Sequence, residues 1–300
     1  MKLFISNNDF KSINQVVKES PSQLIVIAGQ TASGKSSIAL KLAKLYNGVI
    51  INADSRQIYS EVKIGVATPT FDGTKKESKC NLIDGIPHYL YSFISIFQEY
   101  SVADYKNDVD KLLSELKPKY NKIFLVGGTG LYIDSVVYNF DISNSQEIDV
   151  ELRNKLNGLS VTELQNLLTK DQLSKLNYSD QLNPYRLIRH IEREGKHNSK
   201  QDTLDHLYIV LETQPEKLEE NISIRTRNMF KDGLLDENTM IREKEKIENK
   251  MSVIHKTIGY QEFDSYFDNT KTLQEVETEV KLHTKQYAKR QKTWFKRKAL

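Results

Sequence analysis

Eight consecutive residues, Gly29-Gln30-Thr31-Ala32-Ser33-Gly34-Lys35-Ser36, fill every fixed position of the phosphate-binding pattern G-x-x-x-x-G-K-[ST]. Glycine lets a loop fold its N–H groups around an anion, and the start of a helix adds partial positive charge. In that pattern Lys35 reaches phosphate oxygens and the Ser36 hydroxyl is a ligand for Mg²⁺. A second group, Asp54-Ser55-Arg56-Gln57, sets an acid, a hydroxyl, a guanidinium and an amide side by side. A carboxylate near a phosphate loop can take a proton from an acceptor, though an Asp at a strand end can equally cap a helix. Arg56 and Gln57 are side chains suited to a nucleobase edge. A third group is Gly127-Gly128-Thr129-Gly130. A motor ATPase would end the strand before it in a metal-binding acid; here there is none, which opens a pyrophosphate reading with Thr129 offering a hydroxyl.

These groups need elements to hold them. Leu24 to Ala28, Val49 to Ile51 and Ile123 to Val126 are short apolar runs, each ended by Gly or polar residues, and read as buried strands. Ser36 to Tyr46 places Ile38, Leu42 and Leu45 at helical spacing, and Val102 to Leu116 is amphipathic and stops before Pro118. Strand, helix, strand, helix predicts a parallel sheet flanked by helices. Asp54 would then stand at the carboxyl end of a strand, where open α/β sheets put their ligands. From 141 to 202 only short helices are expected (150–156, 161–168 and 185–193), before a further strand at His206 to Leu211 and helices over 215–231, 237–250 and 273–298. The expected organisation is an α/β fold: a P-loop core of residues 1–140 and 203–300 with an all-helical insertion domain, 141–202. Residues 1–22 read as a polar lead-in with a short helix outside the core.

The chain has 300 residues, 38% hydrophobic and 28% charged, which excludes a disordered chain. No apolar run is long enough to span a bilayer and the first residues lack a signal-peptide core, so no membrane partner and a cytoplasmic location are expected. A single cysteine excludes an internal disulfide, and six scattered histidines have no zinc spacing. Net charge is +3, but residues 281–300 carry eight Lys or Arg and no acid, leaving −5 on the rest. Tyr287, Trp294 and Phe295 interleave with those charges. That is a surface able to neutralise phosphates and stack on bases, or else a solvated tail.

The same stretches resemble bacterial tRNA dimethylallyltransferases, also called tRNA isopentenyltransferases. The resemblance rests on Gly29 to Ser36, Asp54-Ser55-Arg56-Gln57-Ile58-Tyr59, Pro87-His88-Tyr89-Leu90, Tyr100 to Tyr105 and Gly127-Gly128-Thr129-Gly130-Leu131-Tyr132. It continues through Asn183 to Arg189, Ile258-Gly259-Tyr260-Gln261-Glu262 and Lys289 to Phe295, in order from about residue 24 to 296. Departures include Gln30 for a usual Pro, Ser36 for Thr, Asn183 for Asp, His190 for Ala, and Val66 and Thr68 for Thr and Lys.

The resemblance implies transfer of a dimethylallyl group from dimethylallyl diphosphate to N6 of the adenosine 3′ to the tRNA anticodon, with Mg²⁺ as cofactor and a monomer as the working unit. It implies that the phosphate loop holds the donor's diphosphate, that Asp54 takes the N6 proton, that Thr129 bonds at the reacting centre, and that Arg225 contacts the diphosphate. The implied tRNA contacts are Asp54, Ser55, Arg56, Gln57, Thr129 and Arg153; Tyr185, Arg186, Leu187, Ile188 and Arg189; and Lys256, Thr257, Ile258, Gly259, Tyr260 and Gln261. The last are Lys289, Arg290, Gln291, Lys292, Thr293, Trp294, Phe295 and Lys296. Two other functions use the same residues. A small-molecule or nucleotide kinase would grip ATP in the same loop, and a non-catalytic RNA-binding module would use it as a structural anion site.

Overall fold

A computed structural model describes residues 2–75, 80–140, 150–192 and 202–297. The chain forms two compact units, one of residues 1–137 with 204–300 and one of 138–203.

The larger unit is built on one eight-stranded sheet in the order β1-β8-β2-β7-β3-β6-β5-β4. Its strands are β1 (Lys2–Ser6), β2 (Leu24–Gly29), β3 (Gly48–Asn52), β4 (Gly73–Lys75), β5 (Cys80–Ile83), β6 (Ile86–Tyr89), β7 (Lys122–Gly127) and β8 (His206–Glu212). All neighbours from β1 to β6 pair in parallel, while β5 and β4 extend the edge as an antiparallel hairpin. β2 and β3 are buried along their whole length, which is why they read as unbroken apolar runs rather than alternating ones. Register decides where the chemistry collects. Ala28 is level with Gly127, and Asn52 with Val126. The loops after β2, β7 and β3 therefore emerge side by side from three adjacent strands, spaced about 4.8 Å apart.

Helices close the faces. α1 (Phe10–Glu19) and α2 (Lys35–Leu45) share one core with the sheet, in which Ile13, Val17, Leu42 and Phe124 are fully buried. Residues 2–19 thus correct the expectation of a lead-in outside the core. β1 is a sheet strand paired with β8, and α1 buries a stripe of its own. The periodicity of Phe10, Ile13 and Val17 outweighs the polar composition around it. α3 (Val102–Leu116) starts on a Ser101–Asp104 capping box and α4 (Gly130–Val137) follows β7.

The smaller unit consists, over its described residues, of short helices: α5 (Val150–Asn157), α6 (Val161–Asn166), α7 (Lys170–Lys175), α8 (Tyr178–Gln181) and α9 (Pro184–Glu192). Its core is Leu156, Leu164, Leu187 and Ile188. After β8 come α10 (Pro215–Lys231), α11 (Leu234–Glu248), a 3₁₀ turn at Gln261–Phe263, α12 (Asp264–Phe267) and the 24-residue α13 (Leu273–Lys296), which packs on α10.

Candidate active site

The phosphate loop links β2 to α2. Gly34 is the N-cap of α2 at φ 83°, a left-handed geometry that a Cβ would strain, and among the described residues no side chain caps the helix. Among the described residues no backbone bond engages the N–H groups of Gly34, Lys35 or Ser36, so the end of α2 offers free donors to an anion. Lys35 folds back, its Nζ donating to Gln30 O at 2.7 Å. Burial pulls its ammonium down to about 8, with Asp54 opposing and Arg225 reinforcing the shift.

Asp54 follows β3. Its Oδ1 accepts from Arg56 N at 2.9 Å, and its own N–H donates to Asn52 Oδ1 at 2.9 Å. One carboxylate oxygen therefore closes a local turn, and the backbone around it is fixed. Thr129 Oγ1 receives the N–H of Ser55 at 3.0 Å, and Thr129 N donates to Ala53 O at 3.1 Å. The loops after β3 and β7 are tied together through these bonds. Arg225 comes from α10 and donates to Thr31 Oγ1 at 3.1 Å. Burial presses the Arg225 guanidinium below its ordinary value, and Asp54 acts against that.

Two cavities meet at these residues. The larger, about 800 Å³, is lined by Lys35, Ser36, Ser37, Gln57, Lys63 and Asn221 among others. The smaller, about 400 Å³, is lined by Ser55, Arg56, Thr129, Lys256, Tyr287 and Arg290 among others. Thr31, Asp54, Arg225 and Met229 belong to both walls. A cation-lined chamber on one side of Asp54 thus adjoins a phosphate-loop chamber on the other.

α13 serves this site with its inner face, which runs Val280, Thr284, Tyr287, Gln291, Phe295 at helical spacing. Gln291 is buried and spans two loops. Its Oε1 takes Thr31 N at 2.7 Å and its Nε2 donates to Gly128 O at 3.0 Å. A Cβ on Gly128 would come within 2.2 Å of that amide, so only glycine admits the bridge. Trp294 Nε1 donates to the buried Asp134 at 2.8 Å, and Phe295 is buried. Gln291, Trp294 and Phe295, grouped by sequence with the exposed basic residues, therefore face inward as supports. Lys289, Arg290, Lys292, Thr293 and Lys296 are exposed, and Lys298 lies outside the described residues.

The remaining predicted residues divide similarly. Gln57 Nε2 donates to the carbonyls of Val66 and Ala67 at 3.1 and 3.0 Å, so its amide holds a wall of the larger cavity. Lys256, Thr257 and Ile258 line the smaller cavity. Gly259 and Tyr260 are buried beneath them, and Tyr260 donates to Glu237 at 2.7 Å; Gln261 is half-buried and opens the 3₁₀ turn. Within the smaller unit Tyr185 and Arg186 are exposed, while Leu187 and Ile188 belong to that unit's core. Arg153 makes a two-pronged ion pair with Glu192 at 2.6 and 2.5 Å, and Arg189 joins it at 3.1 Å.

Sequence reasoning gave Tyr287 no place beside Asp54 and Thr129 and passed over Asn221 and Met229. The Tyr287 hydroxyl contacts Thr129 and Gln291, and burial together with Asp54 pushes it up to about 12. Its place one turn before Gln291 was the available signal. Asn221, Arg225 and Met229 on α10, and Asp232 at its C-cap, repeat at three- to four-residue spacing and line the larger cavity.

A family model described as IPP transferase matches residues 57–298. The chain is 36% identical over 281 residues to a tRNA dimethylallyltransferase of Microcystis aeruginosa, covering 91% of this chain and 84% of that one. It is similar to the solved tRNA isopentenylpyrophosphate transferase of Bacillus halodurans, with TM-score 0.65, 29% identity, and 92% and 88% of the two chains covered. A eukaryotic dimethylallyltransferase crystallised acting on tRNA is similar too, with TM-score 0.75, 25% identity, and coverage of 92% and 70%.

Proposed function

The chain belongs to the IPP transferase family, and we propose that it moves the dimethylallyl group of dimethylallyl diphosphate onto N6 of the adenosine 3′ to the tRNA anticodon. It is a prenyl-transferring, tRNA-modifying enzyme. The observation that carries the reading is the pair of cavities sharing Thr31, Asp54, Arg225 and Met229. A donor and a macromolecular acceptor that enter from different sides need such a common wall. The larger chamber takes the donor, its diphosphate at Lys35, Ser36, Arg225 and the free N–H groups of α2. The smaller takes the adenine, flipped from its loop at a cost of a few kcal/mol that phosphate contacts from Arg56, Lys256, Arg290 and the exposed face of α13 offset. Tyr185 and Arg186 of the helical insertion add contacts to the same tRNA.

An exocyclic amine is a weak nucleophile, so rate comes from aiming it and from favouring departure of the leaving group. The N6 lone pair attacks the first carbon of the allyl chain. The carbon–oxygen bond breaks and its electron pair leaves on diphosphate, held by Lys35 and Arg225. The free oxygen of Asp54 takes the N6 proton, for which a general base typically contributes about 10² to 10⁴-fold. Thr129, held by Ser55 N and Tyr287, hydrogen-bonds at the reacting centre.

Hard oxygen donors suit Mg²⁺, and the Ser36 and Ser37 hydroxyls line the larger cavity with Asp54. Among the described residues no group of three His, Cys, Asp or Glu could hold a metal. Ser36 would be the protein's ligand to such an ion, with oxygens of the donor's phosphates beside it. The chemistry Mg²⁺ would supply there is neutralisation of charge on the departing diphosphate. The reading takes the monomer as the working unit. Among the described residues no helix is long and apolar enough to cross a membrane, in keeping with a cytoplasmic substrate.

The test is nucleoside analysis of tRNA incubated with the protein, Mg²⁺ and dimethylallyl diphosphate, without ATP. Prenylated adenosine is expected. Transfer of the ATP γ-phosphate to an acceptor would support the kinase instead, and tRNA binding without turnover of either donor the binding module.

A further inference from the structure

A loop that turns N–H groups toward an anion turns carbonyls away from it, and each of those carbonyls needs a donor. The structure names the donors here. Gln30 O takes Lys35 Nζ at 2.7 Å, Ala32 O takes Asn221 Nδ2 at 3.1 Å, and Ser33 O takes Asn7 Nδ2 at 3.1 Å. The stretch they hold is strained. Ala32 lies at φ 61° and Gly34 at φ 83°, both left-handed, with Ser33 between them. An alanine costs roughly 1–2 kcal/mol in that region, and such a conformation persists only where its surroundings hold it.

Asn7 stands outside every stretch that carries the family resemblance, which begins at about residue 24. It sits between β1 and α1, and its backbone is fixed. β1 is in register with β8, Asn7 N continues that ladder to Glu212 O at 2.9 Å, and Asp9 N closes the turn to Ser6 O at 3.0 Å. Behind it Ile13 and Val17 lock α1 into the core. The amide is thus delivered to the phosphate loop by a rigid strand–turn–helix.

We propose that Asn7 is a positioning residue for diphosphate binding, and that residues 2–19 brace the phosphate loop by holding the Ser33 carbonyl outward. The loop is thereby set before the anion arrives, so that binding does not have to impose the left-handed conformation. The proposal rests on the phosphate-loop reading given above.

Titration calorimetry with inorganic diphosphate and Mg²⁺ on the full chain tests it. The variants are Asn7→Ala, Asn7→Asp and, as a control, Asn14→Ala. Asn14 lies on α1, the helix that follows Asn7, and accepts from the Tyr46 hydroxyl at 2.6 Å, away from the loop. Asn7→Ala should weaken diphosphate binding about three- to tenfold, the equivalent of one net hydrogen bond. Asn7→Asp, which turns an acceptor toward Ser33 O, should weaken it further. In turnover the donor KM should rise with kcat kept. Asn14→Ala should lower the melting temperature and leave diphosphate affinity alone. An Asn7→Ala affinity within twofold of the wild type overturns the brace, as does an equal loss in Asn14→Ala. A wild-type chain that binds no diphosphate removes the phosphate-loop reading, and the brace with it.

Discussion

Lys35 gives the sharpest handle on the proposed donor chamber, because its charge is lost within a convenient pH range. Burial pulls its ammonium down to about 8. By simple titration it is about nine-tenths charged at pH 7 and about one-tenth at pH 9. A diphosphate ester is fully ionised above about pH 7, and Tyr287 is pushed up to about 12, with Tyr91 raised further by burial. Neither phenol titrates in this window. If only the charged form grips the anion, dissociation constants for dimethylallyl diphosphate, an ester, should rise about tenfold between pH 7 and 9. Binding at pH 8 should also take up about half a proton, since the anion restores the ammonium. Calorimetry in buffers of different ionisation heat reads both quantities. Lys35→Arg keeps its charge throughout and should flatten the limb, whatever it does to absolute affinity. A wild-type profile that is flat, or a limb that survives in Lys35→Arg, would show that Lys35 is not the group whose charge holds the anion.

Three further substitutions test the other parts. Asp54→Asn keeps an acceptor for Arg56 N but cannot take a proton, so single-turnover rates should fall about 10² to 10⁴-fold with tRNA and diphosphate binding retained. Gln291→Ala strips Thr31 N and Gly128 O of their shared partner; urea unfolding should show a loss of about 1–3 kcal/mol, and an unchanged midpoint would demote the bridge. Neutralising Lys289, Lys292 and Lys296 together should lower the salt slope of tRNA binding by about 0.7 to 0.9 for each phosphate no longer neutralised, whereas an unaltered slope would make that face a solvated one.

The central strands were legible because β2, β3 and β7 are buried on both faces and so appear as continuous apolar runs. β1 was not, being five residues at a sheet edge whose one partner, β8, lies some two hundred positions away. Nothing local encodes that pairing. The β5–β6 hairpin did carry a local sign, since Asp84-Gly85 joins the strands with both residues at positive φ. At the site, the motif residues were legible by type and spacing, but facing was not. The basic and aromatic residues after Tyr287 interleave in sequence, yet a helix separates them, sending Gln291 and Phe295 inward and Lys289 and Lys292 outward. Only the docking of α13 against Gly128 and Asp134 decides which face is which.

The phosphate loop and the larger cavity beside it gather several groups that the fold alone would do better without. Ala32 is left-handed, the Ser33 and Thr68 hydroxyls are buried without partners among the described residues, and Lys35 is held where its charge is disfavoured. A lowered lysine value means that, between pH 8 and 10.5, the unfolded chain keeps a proton the folded chain has released. Stability from this residue therefore rises with pH across that window, and at pH 7 its ammonium is a net cost. Taken in full, a shift from 10.5 to about 8 is worth about 3 kcal/mol, and partial exposure reduces it. Against it stands the bond from Nζ to Gln30 O, about 0.5–1.5 kcal/mol net. Lys35→Met should therefore stabilise the ligand-free chain at pH 7 by about 1 kcal/mol while it abolishes tight diphosphate binding. Chemical denaturation at pH 7 and at pH 10 decides the matter, because the gain should shrink at the higher pH. A variant less stable than the wild type at pH 7 would mean that Lys35 supports the fold rather than waiting for an anion.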